Sequence, residues 1–145
     1  MLKNQVNRCY GKQVTKIGAL IGVAARLVVA LLKLPVQRDG VLVNMPQISG
    51  NYLRIMRQQW QNVEFLFVDE ISMVLYKMLC MIDPCLRQLK NYDEPFGGIN
   101  VMLFRDLMQL PPVRGKQVFQ QPDHMRSATH LWRLFTLVEL RQNMR

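Results

Sequence analysis

The sequence predicts an α/β fold, a mostly parallel sheet with helices on its faces, and three observations carry that expectation. Glu64–Val68 and Ile99–Phe104 are short, continuous apolar runs, the composition of strands buried on both faces. Between them Val74, Leu75, Met78, Leu79, Ile82, Leu86 and Leu89 recur at helical spacing, so residues 74–90 predict an amphipathic helix. Each apolar run ends directly in charged residues, Asp69-Glu70 after the first and Arg105-Asp106 after the second. Strands that alternate with helices are joined by crossovers, which make neighbouring strands parallel. Ligands of such sheets sit beyond the carboxyl ends of the strands. Asp69, Glu70, Asp106 and Gln109 are therefore candidate site residues on topology alone.

From the start of the chain, Ile17–Val36 reads as a buried strand followed by a packed helix. Its length also suits a membrane span, and a basic segment precedes it as in a signal anchor. Arg26 at its centre would cost about 2.5–3.5 kcal/mol in a bilayer, Lys33 interrupts it again and Pro35 ends it. The buried reading is preferred and no membrane partner is expected. Residues 37–50 read as a loop of turn residues, and Ser49 would cap a helix from Asn51 to about Trp60. Pro84 falls inside the 74–90 helix, removes one hydrogen bond and should kink it. After the polar loop Asn91–Gly98 and the second strand, Ser127 would cap a short helix containing Leu131, Trp132 and Phe135. A third strand, Thr136–Leu140, would follow. There is no internal repeat, low-complexity tract, clean cleavage site or sorting tail.

The 145 residues suit one domain or a piece of a larger one, and a hydrophobic fraction of 50% excludes wholesale disorder. The net charge of +9 is unevenly placed: residues 1–62 hold nine of the 19 basic side chains and one acid, Asp39. A basic half beside a balanced half suggests a polyanion, nucleic acid before an acidic membrane surface. Three cysteines (Cys9, Cys80, Cys85) make an odd count with no C-x-x-C pair and no nearby histidine. Buried free thiols in a reducing compartment are expected, not a zinc site.

Four apolar residues followed by Asp-Glu is the layout of a Walker B strand. One carboxylate must sit near magnesium, and the next must orient or deprotonate the attacking water. Adjacent strand residues project in different directions, so one rigid element can deliver both. Alone the pattern is common, and solvated acids at a strand end explain it equally. The longer context is more specific. FVDEISMV (67–74), FGGINVMLFRDLMQLPPV (96–113) and LFTLVELRQNMR (134–145) together resemble the PIF-one-like DNA helicases, superfamily-one ATP-driven motors related to RecD-like helicases and also carried by rolling-circle transposons. The resemblance is clear from about residue 53 to 145 and weak at 17–36. It implies a partial RecA-like P-loop nucleotidase motor domain across residues 1–145, with ATP and Mg2+ as cofactors. It also implies DNA, single-stranded or forked, as partner. Further implications are 5′→3′ unwinding in DNA repair, recombination and telomere maintenance, and a nuclear or mitochondrial location.

By that resemblance Asp69 matches the acid that holds magnesium and Glu70 the catalytic base. Gln109 matches the glutamine that contacts the terminal phosphate and couples nucleotide state to DNA, and Asp106 the acid beside it. Arg145 matches the arginine that stabilises charge on the transferring phosphate, a target suited to a guanidinium. A frayed terminal arginine is the plain alternative for Arg145.

The sequence departs from the family at four places. No G-x-x-x-x-G-K-S/T occurs; the nearest pair, Gly11-Lys12, is followed by Gln13, and Val6 stands at the first glycine's place. The family's A-P-T-G-x-A-A segment, which tracks single-stranded DNA, resembles Ala19–Ala25, with Leu20 and Ile21 for the proline and threonine. Only 18 residues precede it, too few for a strand, a P-loop, its helix and another strand, so the chain is expected to begin just after the phosphate cradle. The glycine and T-x-H residues expected next are missing and the stretch before Lys33 is short. Arg105 replaces a glycine ahead of Asp106, where it would either crowd the nucleotide pocket or pair with Asp69. Two functional readings follow: a piece of a helicase motor, or a non-catalytic nucleic-acid- or partner-binding module.

Overall fold

The computed structural model describes residues 2–19, 50–104, 116–123 and 129–139. It contains a three-stranded parallel sheet in the order β1-β2-β3, with β1 Thr15–Ala19, β2 Phe65–Asp69 and β3 Asn100–Leu103. Among the described residues three α-helices accompany it: α1 Leu2–Tyr10, α2 Gly50–Trp60 and α3 Tyr76–Lys90. The α/β class and the parallel sheet are as the sequence predicts.

The middle strand explains the continuous apolar run. Leu66, Phe67 and Val68 are all buried, because β2 has a strand on either side and layers above and below. Leu66 and Val68 join the core with Met56 and Trp60 of α2 and Leu79, Ile82, Leu86 and Leu89 of α3. Phe65 and Phe67 alternate to the opposite face, where Tyr10 at the end of α1 packs edge-on against Phe65 at 5.5 Å. The strands are adjacent in chain order and run the same way. Right-handed crossovers therefore put α2 and α3 on one face. Helix α1 lies against β1, and the turn between them is anchored by Asn7, whose Oδ1 accepts bonds from the Val14 amide and the Thr15 hydroxyl, both at 3.0 Å.

Two cations cross-cap the helix pair. Lys90, the last residue of α3, donates to the carbonyls of Trp60, Gln61 and Val63 at 3.0–3.3 Å, closing the end of α2. Arg57 of α2 donates to the Gln88 carbonyl and to Asn91 Oδ1 at the end of α3. Both charges thereby sit where terminal carbonyls concentrate negative potential. Burial lowers the Lys90 pKa from its ordinary value. The groove between these helix ends, about 550 Å³ and lined by Arg54, Arg57, Gln58, Gln61, Leu89, Lys90 and Asn91, looks basic on charge count. Its two central cations are nevertheless occupied by backbone oxygens.

The link from α3 to β3 is a close-packed turn, in which a β-carbon at Gly97 would stand 2.5 Å from the Leu86 carbonyl oxygen. Phe96, Gly97 and Gly98 are three successive left-handed residues, with φ of 56°, 62° and 71°. Buried Asp83 of α3 holds this turn by accepting the Phe96 amide at 2.6 Å. Arg87, one turn later, bridges Asp83 at 3.0 Å and Asp93 at 2.9 Å.

Several expectations need correction. Helix α3 starts at Tyr76, not residue 74: Ile71–Met73 is a 3₁₀ turn, and Leu75 is extended because it bridges antiparallel to Gln117. The helix continues through Pro84, which lies on its exposed side; the cost is the amide donor to the Cys80 carbonyl. Thr136–Glu139 forms no strand, since among the described residues no ladder partner stands beside it, and Leu137 and Val138 are 91% and 77% exposed. The short helix after Ser127 is a 3₁₀ turn, Leu131–Leu134. Cys85 is buried and its thiol is pushed up to about 11 by desolvation; Cys80 is half-buried and Cys9 exposed. Residues 20–36, most of the apolar run, lie outside the described residues. Among those described no helix is long and apolar enough to cross a membrane.

Candidate functional site

Asp69 is the last residue of β2 and Glu70 the first beyond it, so the carboxylate pair stands at the carboxyl end of the middle strand. The register brings other chain segments to the same end. Ala19 is the lateral partner of Asp69. Val68 pairs with Leu103, one residue before Phe104. Phe104 then makes two bonds that bracket the acids: its amide donates to the Val68 carbonyl at 2.8 Å, and its carbonyl accepts the Ile71 amide at 3.0 Å. The sheet thus continues past the end of β2 by one residue on the β3 side, and Asp69-Glu70 bulges out between those two bonds.

Local backbone shape sets the two acids apart. Glu70 is left-handed (φ 56°, ψ 39°), a conformation that disfavours any side chain beyond glycine, asparagine and aspartate. Its amide is held by Asp69 Oδ1 at 2.9 Å. Such strain is retained where surrounding bonds over-determine it, and here the Phe104 bracket does so. The turn re-aims Glu70 away from the strand line. Asp69 is exposed and Glu70 half-buried. One Asp69 oxygen is occupied by the Glu70 amide; among the described residues the other accepts no hydrogen bond. An exposed carboxylate with an unshared oxygen is the hard, oxygen-only donor that suits Mg2+ bound through water. Among the described residues no three His, Cys, Asp or Glu side chains converge as a protein-built metal site, and a magnesium shared with phosphates does not require one.

Of the five sequence-predicted residues, the structure places Asp69 and Glu70 side by side. Asp106, Gln109 and Arg145 lie outside the described residues, as does Arg105. Sequence reasoning missed Phe104, Asp83 and the left-handed turn at Phe96. The Phe-Gly-Gly triplet was the available signal for the last, because paired glycines mark positive φ.

Comparison with solved structures defines the class. The chain is 32% identical to a Bacteroides Pif1 crystallised with ssDNA, over 79% of this chain and 27% of that one, with a TM-score of 0.59. It is 34% identical to the Bacteroides Pif1 in complex with ADP-AlF3 and ssDNA, over 71% of this chain and 24% of that one, with a TM-score of 0.56. The fold is that of a RecA-like motor domain. A family model described as PIF1-like helicase matches residues 11–145, and the chain belongs to that family. Among curated relatives, the ATP-dependent DNA helicase RRM3 of Saccharomyces cerevisiae is 32% identical over 118 residues, 77% of this chain and 16% of the relative. The chain thus spans about a sixth of that helicase's length and about a quarter of each Bacteroides chain.

Proposed function

We propose that this chain forms part of the first motor domain of an ATP-dependent 5′→3′ DNA helicase acting on single-stranded or forked DNA. The observation that carries the reading is the convergence of Ala19, Asp69-Glu70 and Phe104 on one sheet end. That edge carries acids where a motor needs them and leads into the segments that hold Gln109 and Asp106. In this reading Asp69 holds Mg2+ through water. Magnesium held there would supply Lewis-acid stabilisation of charge on the phosphates. Glu70 orients the attacking water and accepts its proton as the water oxygen bonds to the terminal phosphorus, while the bond from that phosphorus to the bridging oxygen breaks and ADP leaves with the electron pair. Gln109 contacts that phosphate with Asp106 beside it, and Arg145 stabilises the charge that develops. Roles in repair, recombination and telomere maintenance, and a nuclear or mitochondrial location, accompany this reading by family.

The missing G-x-x-x-x-G-K-S/T favours a second reading, a nucleic-acid- or partner-binding module without turnover. The amides, lysine and hydroxyl of that loop are the groups that grip the phosphates in a P-loop motor. The isolated 145-residue chain is therefore expected to hydrolyse ATP no faster than background in a steady-state assay with Mg2+ and single-stranded DNA. DNA-stimulated turnover that disappears in Glu70→Gln would overturn that expectation and establish a complete active site.

Binding separates DNA partnership from catalysis. The chain should bind a single-stranded oligonucleotide weakly, with affinity falling roughly tenfold between 50 and 200 mM salt, as for about three phosphate contacts. Anisotropy titrations at the two concentrations measure this. Affinity that does not change with salt would rule out a phosphate-driven interface.

A further inference from the structure

The basic groove at the joined ends of α2 and α3 plays no part in the proposed chemistry. Helix α2 ends at Trp60, just ahead of β2, and α3 ends at Lys90, ahead of β3. Both ends therefore lie at the amino end of the sheet, opposite the end that carries Asp69 and Glu70. The groove, about 550 Å³, is lined by described residues, and no carboxylate is among them.

Its charge survives its hydrogen bonds. Lys90 and Arg57 donate to neutral carbonyls and to the Asn91 side-chain oxygen, acceptors that fill donor positions without cancelling a charge. The ammonium donors of Lys90 are spent on Trp60, Gln61 and Val63, so Lys90 contributes only its field. Arg57 differs: Nε and Nη2 are engaged, and among the described residues Nη1 bonds nothing. Arg54, one turn earlier on α2, makes no hydrogen bond or ion pair among the described residues. The acid whose charge Lys90 feels, Glu64, is itself paired with Lys12 at 3.3 Å. Three positive charges thus share one groove with no opposite charge on its walls.

The walls also select the kind of anion. Gln58 and Gln61 follow Arg54 at i+4 and i+7, along one stripe of α2, and Asn91 lines the groove from the end of α3. Carboxamides both donate and accept, as peptide groups do, whereas a phosphodiester only accepts. The groove is also built on two helix carboxyl ends, whose carbonyls concentrate negative potential. A train of phosphates, about one charge per 1.7 Å of duplex, must run past those carbonyls. A single carboxylate can instead be set on the guanidiniums. A second copy of this chain is a poor match. Its longest acidic runs are Asp69-Glu70 and Asp93-Glu94, and Asp93 is already bridged to Arg87.

We propose that this groove docks an acidic peptide segment of another protein. One Asp or Glu carboxylate takes Arg54 together with the open Nη1 of Arg57, in the forked geometry that guanidinium groups offer carboxylates. Neighbouring peptide groups bond to the amides of Gln58, Gln61 and Asn91. The docking site goes beyond the motor reading and does not rest on it.

The probe is a fluorescein-labelled peptide of alternating glutamate and serine, with its glutamine counterpart as control, added to the full 145-residue chain. Anisotropy should show affinity for the glutamate peptide falling at least about tenfold in Arg54→Glu. NMR shifts on titration should gather at Gln58, Gln61 and Asn91. Arg8→Glu makes the same charge change on α1, across the sheet, and should leave affinity within about twofold. If Arg54→Glu does not fold, Gln58→Glu, which sets an acid beside Arg54, decides the matter by the same loss. Equal loss in the Arg54 and Arg8 variants, or equal binding of the glutamine peptide, overturns the proposal. So does a duplex oligonucleotide that shifts the same three residues at lower concentration than the peptide, which would make the groove a nucleic-acid site. Binding of the single-stranded oligonucleotide to Arg54→Glu should match the unsubstituted chain, which keeps this result separate from the test of the motor reading.

Discussion

Gly97→Ala is expected to destabilise the chain by about 3 kcal/mol or more, read as a shifted midpoint in urea unfolding. Two effects add. Gly97 has φ +62°, where a β-carbon costs about 1–2 kcal/mol. That β-carbon would also stand 2.5 Å from the Leu86 carbonyl oxygen and 2.9 Å from its carbon, backbone atoms of α3 that cannot move without unwinding the helix. Two companion variants separate the effects. Gly11→Ala has the same backbone strain (φ +63°) with nothing within 4 Å, so it should cost only about 1–2 kcal/mol. Gly98→Ala meets only the ring of Tyr92 at 3.1 Å, an exposed side chain held by a single surface hydrogen bond to Glu94, and should fall near Gly11→Ala. Equal midpoints for Gly97→Ala and Gly11→Ala would mean that α3 and the turn are not in contact as described.

The second large effect belongs to the group that holds the same turn. Asp83→Ala should cost about 3–4 kcal/mol, because the buried Phe96 amide loses its acceptor and Arg87 loses one of its two carboxylates. Asp83→Asn keeps a side-chain oxygen in place for the Phe96 amide and gives up only the charge, so it should cost clearly less. A double-mutant cycle with Arg87→Ala isolates the ion pair from the amide bond. If Asp83→Asn proves as damaging as Asp83→Ala, the carboxylate acts mainly through Arg87 and the Phe96 amide has another acceptor.

Elements whose signal is local are legible in the amino-acid sequence. The run from Glu64 to Val68 reads as a strand covered on both faces, which puts the acids after it at its carboxyl end. The apolar stripe of α3 is equally plain from Leu79, Ile82, Leu86 and Leu89. What escapes depends on neighbours. Helix α1 is mostly polar, and its apolar residues Leu2, Val6, Cys9 and Tyr10 make a stripe only two turns long, too short to stand out. Thr136–Leu140 has the composition of a strand, but a strand exists only when another lies beside it, and composition does not report that. The left-handed turn at Glu70 is set by the bonds of Phe104, thirty-four positions along the chain, a relation that no local pattern contains. The acid pair of the candidate site is therefore readable from sequence, whereas its backbone geometry is not.

The two backbone hydrogen bonds of Phe104 have a mechanical consequence. Its amide fixes it to the strand before the acids and its carbonyl to the residue after them, so the segment leaving β3 and the segment leaving β2 are geared together. If the chain beyond Phe104 shifts by more than the slack of a hydrogen bond, Ile71 must follow or release. Either response rotates the backbone at Glu70, whose left-handed state those bonds maintain. The backbone around Glu70 and the end of β3 are therefore held as one unit by these two hydrogen bonds.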